Sequence, residues 1–137
     1  GDLARLNRSG LFTKESQPGV QAGGLAQRAY VTAFCGPDTA STLLTLSART
    51  SLVTVVHDPG EASSVSIPVT VQDDDVATLL GSSEGPVGED QLRDWAAETN
   101  ETLALVLADA WYVEIFDPVW GRNDVLLPAV LEALQAE

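Results

Sequence analysis

The chain has 137 residues, with 20 acidic and 7 basic side chains and a formal net charge of −13. That length suits one domain spanning 1–137, and 45% hydrophobic residues predict a packed core rather than intrinsic disorder. The charge is uneven: residues 1–36 hold four basic and two acidic groups, while 37–137 hold three basic and eighteen acidic. A Lys/Arg field that grips a nucleic-acid backbone is thereby excluded over most of the surface.

No stretch approaches the roughly 20 apolar residues of a membrane span, and no basic segment followed by an apolar run opens the chain as a signal peptide. Cys35 is the single cysteine, so no intrachain disulfide is expected and a cytoplasmic setting fits.

In chain order, Asp2–Arg8 reads as a short helix ended by Gly10. Leu11–Ser16 reads as extended, Gln17-Pro18-Gly19 as a turn, and Val20–Ala26, with Gly23-Gly24, as a loop. The β-branched and aromatic residues of Gln27–Cys35 predict a strand. Asp38 is placed to cap a helix in which Ala40, Leu43, Leu44 and Ala48 recur at helical spacing.

Leu52–His57 and Ser64–Gln72 predict two strands of one hairpin. Val65, Ile67, Val69 and Val71 alternate with polar residues and Pro68, and proline points to an edge position. Asp73–Asp75 reads as a solvated turn and residues 81–88 as a flexible loop. Glu89–Thr99 predicts an amphipathic helix, Trp111–Phe116 a strand, and Val125–Ala136 a last helix with Pro128 in its first turn. The sum is an α+β domain: a mostly antiparallel sheet of four to five strands with three to four helices.

One Cys and one His cannot complete a zinc site, and Asp73-Asp74-Asp75 has Thr78 where a calcium loop needs Gly, so no metal is expected. Gly19–Gly24 has the spacing of a phosphate loop but Leu25-Ala26 in place of Lys-Ser/Thr, so no nucleotide cofactor is expected either. Cys35 ends an apolar strand, and small buried cysteines are mostly inert. A nucleophilic pair of Cys35 with His57 therefore has little behind it.

Two polar clusters stand out. Asn7, Arg8, Thr13, Ser16, Gln17, Gln27 and Arg28 gather amides, hydroxyls and guanidiniums around a turn in the net-basic part of the chain. Such groups suit a carboxylate, a phosphate or a peptide backbone; the plainer alternative is that they satisfy the backbone of an irregular loop. The second cluster is Asp117–Asp124, where Arg122 can pair with Asp117 or Asp124 and stack on Trp120, with Asn123 beside it. Its plainer alternative is capping at a strand-to-helix turn.

As a set, Leu6-Asn7-Arg8-Ser9-Gly10-Leu11-Phe12-Thr13, Ser16-Gln17-Pro18-Gly19 and Gln27-Arg28, together with Asp117-Pro118-Val119-Trp120-Gly121-Arg122-Asn123, resemble a domain family of unknown function from Streptomyces and related actinobacteria. The resemblance implies a small bacterial, cytoplasmic domain and no particular activity. Members carry sequence before the first segment, whereas this chain begins almost on it, which points to a trimmed N-terminus.

Three readings follow. The first is a ligand- or protein-binding module that uses the Asn7/Arg8/Gln17/Arg28 face, with Trp120 and Arg122 alongside, on a small anionic ligand or a protein partner. The second is a small hydrolase or transferase with Asp117 or His57 as base and Arg28 or Arg122 holding an anionic substrate. The third is an acidic decoy for a basic partner, since residues 73–109 hold ten acidic groups and one Arg.

Overall fold

Tyr30–Cys35 and Trp111–Phe116 are almost wholly buried, as their near-continuous apolar sequences require, and they form the middle of the molecule. The computed structural model describes residues 10–58, 66–81 and 110–135. The helices expected at Asp2–Arg8 and Glu89–Thr99, and all but the first residue of the 81–88 loop, lie outside them.

The strands are β1 (Phe12–Gln17), β2 (Val20–Ala22), β3 (Leu25–Gln27), β4 (Tyr30–Cys35), β5 (Val53–His57), β6 (Ile67–Gln72), β7 (Asp75–Leu80) and β8 (Trp111–Phe116). The helices are α1 (Pro37–Arg49) and α2 (Leu126–Gln135). One sheet has the order β1-β4-β8-β5 and the other β2-β3-β6-β7, and every pairing is antiparallel.

The expectation of three to four helices around one sheet of four to five strands is thus corrected. Among the described residues the chain has two helices and eight strands in two antiparallel sheets, a mostly β architecture.

Turn chemistry accounts for much of the difference. Gly23 and Gly24 both have positive φ, 56° and 81°, and close a hairpin between β2 and β3, where the sequence reads as a loop. Asp73 and Asp74, with φ of 50° and 71°, do the same between β6 and β7.

The expected hairpin of Leu52–His57 with Ser64–Gln72 is also corrected. β5 pairs with β8 and β6 lies between β3 and β7, so the two strands belong to different sheets. Pro68 is not on an edge strand; it sits where the β6–β7 register shifts, and a bulge tolerates the missing N–H donor. At α1 the cap is Gly36 with no side-chain hydrogen bond. Pro37 opens the helix, and Asp38 contributes through its charge in the first turn instead.

Alternation along β4 and β8 sends side chains to two different layers. Val31, Ala33, Cys35, Val113 and Ile115 pack with Ala40 and Leu43 of α1 and with Leu126, Val130, Leu131 and Leu134 of α2. Tyr30 and Phe116 face the other way and pack with Val69 and Leu80 of the second sheet. The first sheet is therefore the central layer, covered by helices on one face and by the second sheet on the other.

Candidate functional site

The chain crosses from the second sheet to the first at Arg28-Ala29, between β3 and β4, and backbone bonds fasten the crossing. Arg28 N–H donates to Val69 O at 2.8 Å, and Asp117 N–H donates to Ala29 O at 2.9 Å. The Arg28 side chain completes the stitch. Its Nε donates to Pro118 O and its Nη1 to Pro68 O, both at 3.0 Å, and its guanidinium lies 4.2 Å from the Trp120 ring centroid.

Asp117, which follows β8, is fully buried. Its carboxylate accepts from Val119 N–H at 2.9 Å, from Arg122 Nε at 2.6 Å and from Arg122 Nη2 at 2.8 Å. This is an Asx-turn closed by an arginine fork. The Asp117 carboxylate raises the Arg122 pKa further above its ordinary value. Arg122 Nη2 also donates to Ser51 Oγ at 2.7 Å, tying the turn to the segment between α1 and β5.

The Gln17-Pro18-Gly19 turn rests on this second segment. Gly19 N–H donates to Asn123 Oδ1 at 3.1 Å, Gln27 Nε2 donates to Pro18 O at 2.7 Å, and Gln27 Oε1 accepts from Thr70 Oγ1 at 2.9 Å. The approach is so close that a Cβ on Gly19 would lie 2.3 Å from Arg122 O, and one on Gly121, whose φ is +79°, would lie 2.9 Å from Gln21 Cβ.

Of the sequence-derived site residues, Gln27, Arg122 and Asn123 meet at Pro18 and Gly19, while Arg28 and Trp120 lie against each other beside Pro118. Gln17 is an exposed neighbour and Ser16 is half-buried, opposite Val31. Thr13 lies further along β1, where the register shifts, opposite Ala33. Asn7 and Arg8 fall outside the described residues. Most of the polar capacity in this cluster meets other groups of the chain. Among the described residues, Arg28 Nη2 and Arg122 Nη1 are the guanidinium nitrogens here that make no hydrogen bond.

A second polar centre, between the two sheets, has no counterpart in the sequence reading apart from His57. Glu114 is buried; its Oε1 lies 2.7 Å from His57 Nε2 and its Oε2 accepts from Gly81 N–H at 2.8 Å. Tyr112 stacks obliquely near His57, and Lys14 Nζ lies 5.5 Å from the Tyr112 ring centroid. Tyr30 Oη donates to Glu15 Oε1 at 2.7 Å. Thr32 is buried opposite Glu114 on β4. Burial pushes both the Tyr30 and Tyr112 phenols well above their ordinary value; Glu15 reinforces this at Tyr30, and Thr32 opposes it in part at Tyr112. The signal missed in the sequence is Glu114 itself, a lone carboxylate inside the apolar run Trp111–Phe116.

His57 is buried. It pairs with Tyr112, whereas Cys35 pairs with Trp111 and packs in the helix-side core, so Cys35 and His57 point to opposite faces of one sheet. His57 lies beside Tyr112 and Asp117 beyond Phe116, about 17 Å apart at ~3.4 Å per residue of strand. Among the described residues, no helix is long and apolar enough to cross a membrane.

These features define a small β-rich domain of two sheets whose crossover is locked by two arginines and two glycine turns. The whole chain, residues 1–137, belongs to the family described as a domain of unknown function (DUF6919). Among curated proteins, no sequence matches it.

Proposed function

We propose that the chain is a protein-binding module whose recognition surface is the junction of Gln17–Gln21 with Val119–Asn123. One observation carries the reading. The Val119–Asn123 turn is held by the Asp117–Arg122 fork, by Gly121 N–H to Gln27 O at 3.0 Å and by Asn123 to Gly19, yet it leaves Val119 46% exposed. A rigid turn that presents an aliphatic side chain beside tryptophan and arginine has the composition of an interface centre and little entropy left to lose on binding.

The engagement of Arg28 and Arg122 by the chain's own carbonyls and carboxylate favours a protein partner over a small anionic ligand. A catalytic role for Asp117 gains no support, because all three donors that reach its carboxylate come from the chain itself. A cytoplasmic, actinobacterial setting is part of the proposal, in keeping with the motif resemblance and with a single cysteine in the chain.

The test is to select peptides from a random displayed library on the immobilised wild-type chain, then measure them on Val119→Asp and on Leu44→Asp. Leu44 is an equally exposed leucine on α1, 48% accessible. Selected peptides should lose roughly ten-fold or more in affinity on Val119→Asp, about 1.4 kcal/mol, and bind Leu44→Asp as wild type. Peptides indifferent to Val119→Asp would refute the reading.

A further inference from the structure

The described edges of the two sheets are not alike. β2 has only three residues, and β1 carries Lys14 and Glu15 where its register shifts, a charged irregularity that discourages a further strand. β5 is mostly half-buried, with Val53 at its exposed end. β7 has six residues, no Lys, Arg or Pro, and exposes Val76 at 54% and Leu79 at 45%. Among the described residues, no strand pairs with its outer side.

The register explains how two apolar side chains come to face outward together. Residues three apart on a regular strand lie on opposite faces. Between Thr70↔Thr78 and Val71↔Val76, however, β7 has one extra residue, Ala77. That bulge restores Val76 and Leu79 to a common face while Leu80 stays buried in the inter-sheet core. Here the bulge aims an apolar pair at solvent rather than protecting the edge.

Charge indicates the occupant. Residues 20–27 and 66–81, which hold all four strands of this sheet, contain Asp73, Asp74 and Asp75 and not one Lys or Arg. All three aspartates are exposed and stand at the turn that opens β7. We propose that β7 docks an extended segment of a partner protein that alternates basic and aliphatic residues. Its aliphatic side chains cover Val76 and Leu79 and its cations reach the Asp73–Asp75 turn, with backbone pairing along the β7 edge. A second copy of the chain suits this surface less well. Two-fold antiparallel pairing would set the Asp75 end of one β7 against the Leu80 end of the other, leaving the carboxylates uncompensated between chains of net charge −13. This surface is separate from the Val119 turn, so either proposal can fail alone.

The test uses two fluorescent hexapeptides, one alternating Lys and Val and its twin alternating Glu and Val, titrated against the full chain by anisotropy. The Lys peptide should bind saturably and weaken several-fold between about 50 and about 500 mM salt, and the Glu twin should not bind. Val76→Ser/Leu79→Ser and Asp74→Asn/Asp75→Asn should each weaken binding roughly ten-fold, with circular dichroism unchanged because all four side chains are exposed. Amide exchange in Asp75–Leu80 should slow when the Lys peptide is added. The proposal is overturned by no saturable binding up to about 1 mM, by equal binding of both peptides, or by wild-type affinity in the serine variant. Concentration-dependent dimerisation that protects β7 without peptide would also overturn it, assigning the edge to a second copy.

Discussion

Gly19 shows how a single position can decide this fold's integrity. Its N–H meets Asn123, and the space a Cβ would need is already taken by the Arg122 carbonyl and the Gly121 backbone. Gly19→Ala must therefore move backbone against backbone, and an overpacked site of this kind costs about 1–3 kcal/mol. At Gly36 the space a methyl group would enter is open, with nothing within 4 Å. Gly36→Ala should therefore meet no clash and cost no more than about 1 kcal/mol, the preference of a helix N-cap for glycine over alanine. Urea melts of the two variants separate these outcomes; equal midpoints would show that the 17–19 turn does not bear on the 121–123 turn. Asp117→Ala should likewise strand the Val119 N–H, about 1–3 kcal/mol if no other acceptor reaches it, read from the same melts. The motif residues Gln17-Pro18-Gly19, Gln27-Arg28 and Asp117–Asn123 were legible as a set in the sequence. Their role in joining one turn to the other was not, because hydrogen bonds to carbonyls such as Pro68 O and Pro118 O depend on where distant backbone passes.

Among the elements, two hairpin turns were the least legible features. Gly23-Gly24 was visible as flexible but not as a hairpin, since the flanking Val20–Ala22 and Leu25–Gln27 are too short and mixed to show a period. The Asp73-Asp74 turn places two non-glycine residues at positive φ, which costs each of them roughly 1 kcal/mol relative to glycine. Asp74→Gly should therefore leave stability unchanged or raise it by up to about 1 kcal/mol, measured as a shift of the denaturant midpoint at constant slope. A clear loss would mean that the Asp74 side chain contributes more than its backbone conformation costs. The two described helices were found near their expected places because Ala40 and Leu43, and Val130, Leu131 and Leu134, repeat at a spacing that is itself the packing surface.

At the scale of the molecule, His57 and Glu114 are buried against the face of the central sheet that carries Tyr30 and Tyr112, the chain's two tyrosines, which report on that layer. Burial holds both phenols protonated beyond their ordinary pKa of 10.0. Unfolding lets them ionise normally, so the unfolded chain binds fewer protons above that value and stability falls as pH rises past it. Below it, this contribution is fully present. Phenolate absorbance should appear together with the loss of far-ultraviolet circular dichroism, not ahead of it. Tyrosine ionising near 10.0 in a chain that is still folded would contradict the burial of Tyr30 and Tyr112.

Local periodicity and residue type were enough to set the buried central strands, the two described helices and the polar segments that matter. Tertiary contacts alone part β5 and β6 into different sheets, put Pro68 at an interior bulge, turn Arg28 and Arg122 onto the chain's own backbone, and bury Glu114 against His57. Each of these depends on what stands across a sheet or a crossover. Strand partners, and the hydrogen-bond acceptors they bring, come from residues far apart in the chain, and no spacing within a segment encodes them.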